Sequence, residues 1–218
     1  MTLWPSQVRY LSLVVVLLVT ACSDNTPQDA DEATITPPTT EAVTTEGTAT
    51  TASSANDGLA VLPVREGPRS QTTGSVPHIQ TDAVPVPDVD AELRRRVFSI
   101  PGIDEAESSL SLPGARSLLL SDDLELARPE VLPTGREFGH FHPDGSLHLW
   151  LAVDRAQEVD ETKWGELHPW VGRDNFWDGV VMIYVPETAA EADIALQLVA
   201  DAYNYIVGIE LDPANFDN

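Results

Sequence analysis

The sequence predicts an α+β fold: one small domain in which an antiparallel sheet carries its helices on one face, preceded by a disordered tether. Three observations predict it. Short segments of alternating apolar and polar residues, separated by Pro-Gly turns, run through the middle of the chain. A buried strand and a long amphipathic helix follow them. Ahead of all of these lies a stretch too poor in apolar residues to fold.

The first residues decide where the chain is expected to reside. Arg9 precedes an apolar run from Tyr10 to Val19, and Thr20-Ala21-Cys22 follows. A short apolar run ending in small residues is a signal-peptide core with its cleavage site. A bilayer span needs about 20 apolar residues, more than this run holds. Residues 1–21 are therefore expected to be a signal peptide. Cys22, directly after Ala21, resembles the lipobox of bacterial lipoproteins. That resemblance implies a lipid on Cys22 and an exported chain anchored to the bacterial membrane, its domain on the extracytoplasmic side. Cys22 is the one cysteine of the sequence, so no disulfide within a chain can form.

Residues 22–75 read as an acidic tether rich in Thr, Ala, Ser and Pro. Such a composition cannot bury enough apolar area to offset the entropy of ordering it. Leu59-Ala60-Val61-Leu62 is an apolar island within it, expected to make a transient contact rather than a strand. Residues 76–218 form the expected domain.

Within it, Asp88 is placed to cap a helix from Val89 to Phe98, with Val89, Leu93 and Val97 on one side. Ala106–Leu112 and Arg116–Ser121 read as strands joined at Pro113-Gly114. Pro129 to Pro133 is a loop. Glu137–His142 and Ser146–Val153 read as a hairpin, and Arg155–Thr162 as a short polar helix. Lys163–Asp178, with its Trp, Phe, Gly and Pro, reads as an ordered loop. Gly179–Val185 is a buried strand. Thr188 caps the longest helix, which runs to Val207 with Ala195, Val199, Ala202 and Ile206 as its core stripe and Gly208 as its stop.

Charge excludes one class of partner. The chain carries 35 acids and 12 bases, a formal net of −23, of which residues 76–218 hold 27 acids and 9 bases. Nucleic acid is not an expected partner, nor is an anionic membrane surface, because no basic patch exists. Membrane contact is expected through the lipid on Cys22 alone. Arg94-Arg95-Arg96 is the one cationic run; on a helix its members point apart, which predicts solvated side chains.

The most informative segment is Gly135–Trp150, GREFGHFHPDGSLHLW, which holds three of the five histidines around one turn. Pro143-Asp144-Gly145 favours a three-residue hairpin loop. That register sets His142 opposite Ser146, Phe141 opposite Leu147 and His140 opposite His148. Side chains alternate along a strand, so His140, His142, His148 and Trp150 share one face, with Phe138 across from Trp150. Phe141, Leu147, Leu149 and Leu151 share the other. A one-residue slip would scramble this sorting. Three imidazoles at that spacing suit a ligand pocket, proton transfer or a metal, although histidines on a hairpin are often plain surface residues. His140, His142 and His148 are the candidate metal ligands; a divalent metal is a possible cofactor and not the favoured one, and the cofactor is left open. The segment Trp164–Trp170 could fold over this face, bringing Glu166 and His168, two residues apart, as an acid/base pair. Trp150, Trp164, Trp170 and Phe138 are the expected aromatic wall.

The runs PTGREFGHFHPDGSLHLWL, WGELHPW and VVMIYVPETAAEADIALQLVADAY together resemble the luciferase-like domain of fungal bioluminescence enzymes, over roughly Val89 to Val207. The resemblance implies oxidation of a hydroxylated pyrone with molecular oxygen, and it carries over His140, His142, His148, Glu166 and His168 as site residues. The fungal enzymes carry a membrane helix where this chain carries the expected lipid anchor. Two function classes follow. One is an oxygen-dependent enzyme acting on a phenolic or enolic small molecule. The other is a non-catalytic lipoprotein that binds such a molecule. No Gly-x-Ser-x-Gly elbow and no Gly-rich phosphate loop is present, which argues against a serine hydrolase and a nucleotide enzyme.

Overall fold

The computed structural model describes residues 60–216. The expected signal peptide, Cys22 and most of the expected tether lie outside them. Helix α1 spans Pro87–Val97, strand β1 Ile103–Glu107, β2 Arg116–Leu120, β3 Glu137–Phe141, β4 Leu147–Trp150, helix α2 Val153–Glu161, β5 Gly165–Leu167, β6 Val180–Ile183 and helix α3 Ala189–Val207. The six strands form one sheet in the order β1-β2-β3-β4-β6-β5, and every pair is antiparallel. This is the α+β arrangement that the periodicity predicts.

All three helices lie on one face. Phe141 of β3 meets Phe98, just after α1, and the Arg94 guanidinium sits 4.2 Å over the same ring. Tyr203 of α3 packs edge-on to Phe138. Gly165 of β5 points at Val159 of α2. Leu118, Leu147, Leu149, Leu151 and Ile183 fill the space between helices and sheet, each 2 % exposed or less. Burying a Leu or Ile side chain is worth roughly 1.5–3 kcal/mol, so this layer sets the fold. α3 forms as its sequence dictates: Thr188 Oγ1 accepts from the Glu191 amide at 3.2 Å, and Gly208 ends the helix in the left-handed conformation.

Several expectations shift. α1 begins at Pro87, so Asp88 sits in its first turn instead of capping it. Pro needs no hydrogen-bond partner at that position, which makes it the natural start. β1 lies three residues earlier than expected, because Ile103 pairs with Leu120 and Glu107 with Arg116. Its acids line an open edge, where charge discourages pairing with another chain. Within the Lys163–Asp178 segment, Gly165–Leu167 forms the other edge strand. Arg96 is buried and pairs with Asp193 at 2.7 Å, so the Arg94–Arg96 run is not simply solvated.

Residues 60–75, expected as the end of the tether, pack on the domain. Leu62 is 5 % exposed within the core. Its amide donates to Glu158 Oε1 at 2.8 Å, Arg65 pairs with Glu191 at 2.9 Å, and Trp164 Nε1 donates to the Pro63 carbonyl at 2.6 Å. One leucine and two arginines, Arg65 and Arg69, dock a segment whose composition is otherwise that of a linker. Just beyond it, residues 71–81 fold back on themselves through a bridge between Thr72 and Gln80. Gln80 Oε1 accepts from the Val185 amide at 2.8 Å and pins this turn to the end of β6. The turn lies over the sheet face that the helices leave open. No helix among the described residues is long and apolar enough to cross a membrane.

Candidate functional site: a buried histidine cluster

The β3–β4 hairpin has the expected register. His140 pairs with His148 and Phe141 with Leu147, the His142 amide donates to the Ser146 carbonyl at 2.8 Å, and Gly145 closes the turn at φ +88°. Pairing extends this row across the sheet: Ser117 on β2, His140 on β3, His148 on β4, Met182 on β6 and Glu166 on β5. His140, His142, His148, Glu166 and His168 are thereby brought together, as expected. The residue not foreseen is His78. It is carried in by the 71–81 turn, and with it all five histidines of the sequence join one cluster, each 8 % exposed or less.

A β-bulge changes the expected wall. Leu118 pairs with Gly139, but Leu119 pairs with Glu137, so Phe138 is the extra residue. The bulge turns Phe138 into the helix-side core against Tyr203 and brings Glu137 onto the histidine face. Gly139 permits it: a Cβ there would lie 2.7 Å from the His148 carbonyl oxygen and 2.8 Å from Leu149 Cδ2. Trp164 also leaves the wall, its indole tied to Pro63. Trp150, Trp170 and Phe176 line the site instead, with Val76, Pro77, Leu110 and Leu112, around a cavity of about 380 Å³. An apolar cavity with a few convergent polar groups is the usual makeup of a small-molecule site.

The polar groups form one connected chain. His140 Nδ1 donates to Glu137 Oε1 at 2.9 Å, and Ser108 and Ser117 donate to the same carboxylate at 2.6 and 2.8 Å. His140 Nε2 lies 3.1 Å from His148 Nδ1, His148 Nε2 lies 3.1 Å from His78 Nδ1, and His78 Nε2 lies 2.6 Å from Glu166 Oε1. His142 Nδ1 lies 2.9 Å from Ser146 Oγ, whose own hydroxyl donates to Asp144 Oδ1 at 2.6 Å. His168 Nδ1 accepts from the Trp170 amide at 3.1 Å, and its ring stacks on Phe176.

Electrostatics follow from this burial. Burial raises the Glu137 carboxyl, but hydrogen bonds from His140, Ser108 and Ser117 outweigh it and hold the group below its usual range. Glu166 behaves alike, with His78 and Thr72 outweighing burial. Burial, then the neighbouring imidazoles, pushes His142 and His168 down to about 4 and His148 well below its usual value. These three rings are therefore neutral near pH 7 and keep a lone pair each. Burial and the Glu166 charge push the Tyr184 hydroxyl up to about 12, so it stays protonated and donates to Glu166 at 3.3 Å. The cluster can hold two carboxylates, neutral imidazoles and a small apolar ligand side by side.

The family model of the luciferase domain matches residues 135–202. That stretch holds the hairpin, β5, β6 and most of α3, and four of the five clustered histidines. The luciferases of Armillaria gallica and Armillaria mellea are 26% and 27% identical to this chain, each match covering 70% of the chain and 63% of the relative. The luciferase of Neonothopanus nambi is 26% identical over 178 residues, 72% of this chain and 64% of the relative. The chain thus spans a little under two thirds of the length of these curated relatives. No solved structure matches. The comparisons support a luciferase-like domain that includes the histidine hairpin.

Proposed function

We propose that this domain is a luciferase-like oxidative enzyme acting on a small phenolic or enolic molecule, with molecular oxygen as the oxidant. The observation that carries this is the cluster itself: five buried histidines line one aromatic-walled cavity, and two glutamates held below the usual carboxylate range hydrogen-bond to the rings from behind. An acidic hydroxyl entering it meets neutral imidazoles whose lone pairs can take its proton, and the conjugate anion is the electron-rich species that oxygen oxidises. His168 holds its remaining proton on Nε2, since Nδ1 accepts from Trp170, and so offers a donor to that anion. Trp150, Trp170 and Phe176 supply flat walls for a planar ring and limit water.

The test is oxygen uptake by the purified full chain supplied with a hydroxylated pyrone or a catechol. Uptake that depends on the substrate, and falls at least about 100-fold in His142→Ala as expected for loss of a proton-transfer group, supports the proposal. Quenching of tryptophan fluorescence by the same molecules without any oxygen uptake would make the domain a binding protein and sink the enzymatic reading.

The proposal extends to location. Val19-Thr20-Ala21-Cys22 supports export and lipid attachment at Cys22, with the domain outside the bacterial membrane. Cys22→Ser is expected to move the protein from the membrane fraction to the soluble one, or to stop its processing. Membrane fractionation and a mature mass that both stay unchanged would refute this.

A further inference from the structure

With every imidazole neutral, the hydrogen-bond chain is short of one donor. Glu137 accepts from His140 Nδ1–H, so in the neutral ring the lone pair is on His140 Nε2. Ser146 spends its proton on Asp144 and therefore accepts from His142 Nδ1–H, so His142 Nε2 also carries a lone pair. Glu166 accepts from His78 Nε2–H, so in the neutral ring the lone pair is on His78 Nδ1. His148 stands between His140 Nε2 and His78 Nδ1, at 3.1 Å from each. A neutral imidazole has one N–H, so His148 can satisfy one of these contacts. The other would set lone pair against lone pair. A second proton on His148 would place an imidazolium on a ring that is 5 % exposed and has no carboxylate beside it.

We propose that a metal ion completes this arrangement: His140 Nε2, His142 Nε2 and His148 Nδ1 hold one divalent transition metal. One nitrogen from each of these residues lies within 4.8 Å of the other two, so a modest inward closure reaches the 2.0–2.1 Å bonds typical of imidazole on zinc. With the ion bound, His148 keeps its proton on Nε2 and donates to His78, and His78 donates to Glu166. Every link is then satisfied. Each ligand ring also donates its outer N–H to an acceptor, Glu137, Ser146 or His78, which is how metal-bound histidines are usually oriented. His78, His148 and His168 also approach one another within 4.8 Å, but His168 carries its proton on Nε2 and presents a donor, so that set does not fit. Three imidazoles with a fourth position open to the cavity is the composition of a catalytic centre rather than a structural one, and imidazole suits zinc, iron, copper and nickel. The proposal rests on the enzymatic reading only for what fills that fourth position: a phenolic or enolic hydroxyl there would ionise against the metal instead of against an imidazole. Metal binding itself stands on the ring geometry alone.

Cobalt(II) is the probe, added to the chelator-treated full chain. The expected result is one cobalt per chain by elemental analysis, with the visible absorption of a four- or five-coordinate nitrogen site. His142→Ala should abolish that absorption. His142→Asp, which keeps a ligand, should retain one cobalt with an altered spectrum, and this separates ligand loss from misfolding. Ser146→Ala should weaken binding roughly 10–100-fold. His168→Ala should leave the stoichiometry unchanged. A folded wild-type chain that binds no cobalt overturns the proposal, as does a site lost in His168→Ala but kept in His142→Ala. Cobalt bound without substrate oxidation by any metal-loaded form would leave this site standing and remove the enzymatic reading instead.

Discussion

Asp201→Ala is expected to lower the stability of the domain by about 3–5 kcal/mol, the usual cost of removing one partner of a buried ion pair. Asp201 on α3 and Arg155 on α2 are each 1 % exposed at the side chain and meet at 2.7 Å. Arg155 Nε also donates to Asp201 at 2.9 Å, and Gln197 donates to its other oxygen at 2.7 Å. Burial pushes the Asp201 carboxyl up, more strongly than Arg155 pulls it down. The pair is thus an expensive element held by geometry. Without Asp201, the guanidinium keeps the Ala60 carbonyl and Glu158 but stays buried and under-neutralised. Urea unfolding measures the loss. Replacing both partners with apolar residues, Arg155→Met with Asp201→Leu, should cost far less than the single change, because no stranded charge remains. A single substitution within about 0.5 kcal/mol of the parent, the range of an ordinary surface change, would show that water reaches Arg155.

That pair marks a boundary of what local sequence can reveal. The histidine hairpin was legible because its information is local: Pro143-Asp144-Gly145 sets the turn, and period-two alternation then assigns each side chain to a face. α3 was legible for the same reason, with its cap, stripe and stop all within one run. The contact of Arg155 with Asp201, 46 residues away, has no local signature. Neither does His78, which reaches His148 across 70 residues by way of a turn that no periodicity announces. Glu137 lies between these cases. A glycine inside a strand pattern is a known sign of a bulge, and Gly139 is that sign. A bulge at Gly139 rotates the residues ahead of it by one position, which exchanges Phe138 for Glu137 on the histidine face. The tether boundary failed for a different reason. Composition describes what a segment can bury by itself, whereas Leu62, Arg65 and Arg69 dock onto a surface already formed.

Stripped of metal, the domain is expected to lose stability steeply as pH falls from about 6.5 to about 4. His142 and His168 are held down to about 4 in the fold, first by burial and then by nearby imidazoles, while the same groups in the unfolded chain titrate near 6.5. Between these values the unfolded chain binds protons that the folded one does not. Stability then rises with pH and is lost as pH falls; above 6.5 both states are neutral at these rings and the dependence on them vanishes. At 1.36 kcal/mol per pH unit, each of the two rings withdraws at most about 3 kcal/mol by pH 4, their sum is smaller because part of each shift is the repulsion between rings, and His148 acts in the same direction. Together they approach the roughly 5–15 kcal/mol that holds a typical domain. Glu137 and Glu166, held below the usual carboxylate range, oppose unfolding until the pH drops further, so the loss begins with the histidines. Urea midpoints measured from pH 7 to pH 4 in the presence of a chelator test this. His168→Phe should flatten part of the slope by removing one titrating ring. A midpoint that stays constant across the range would mean that the histidines accept protons as freely in the fold as in the unfolded chain, and that the cluster is open to water rather than buried.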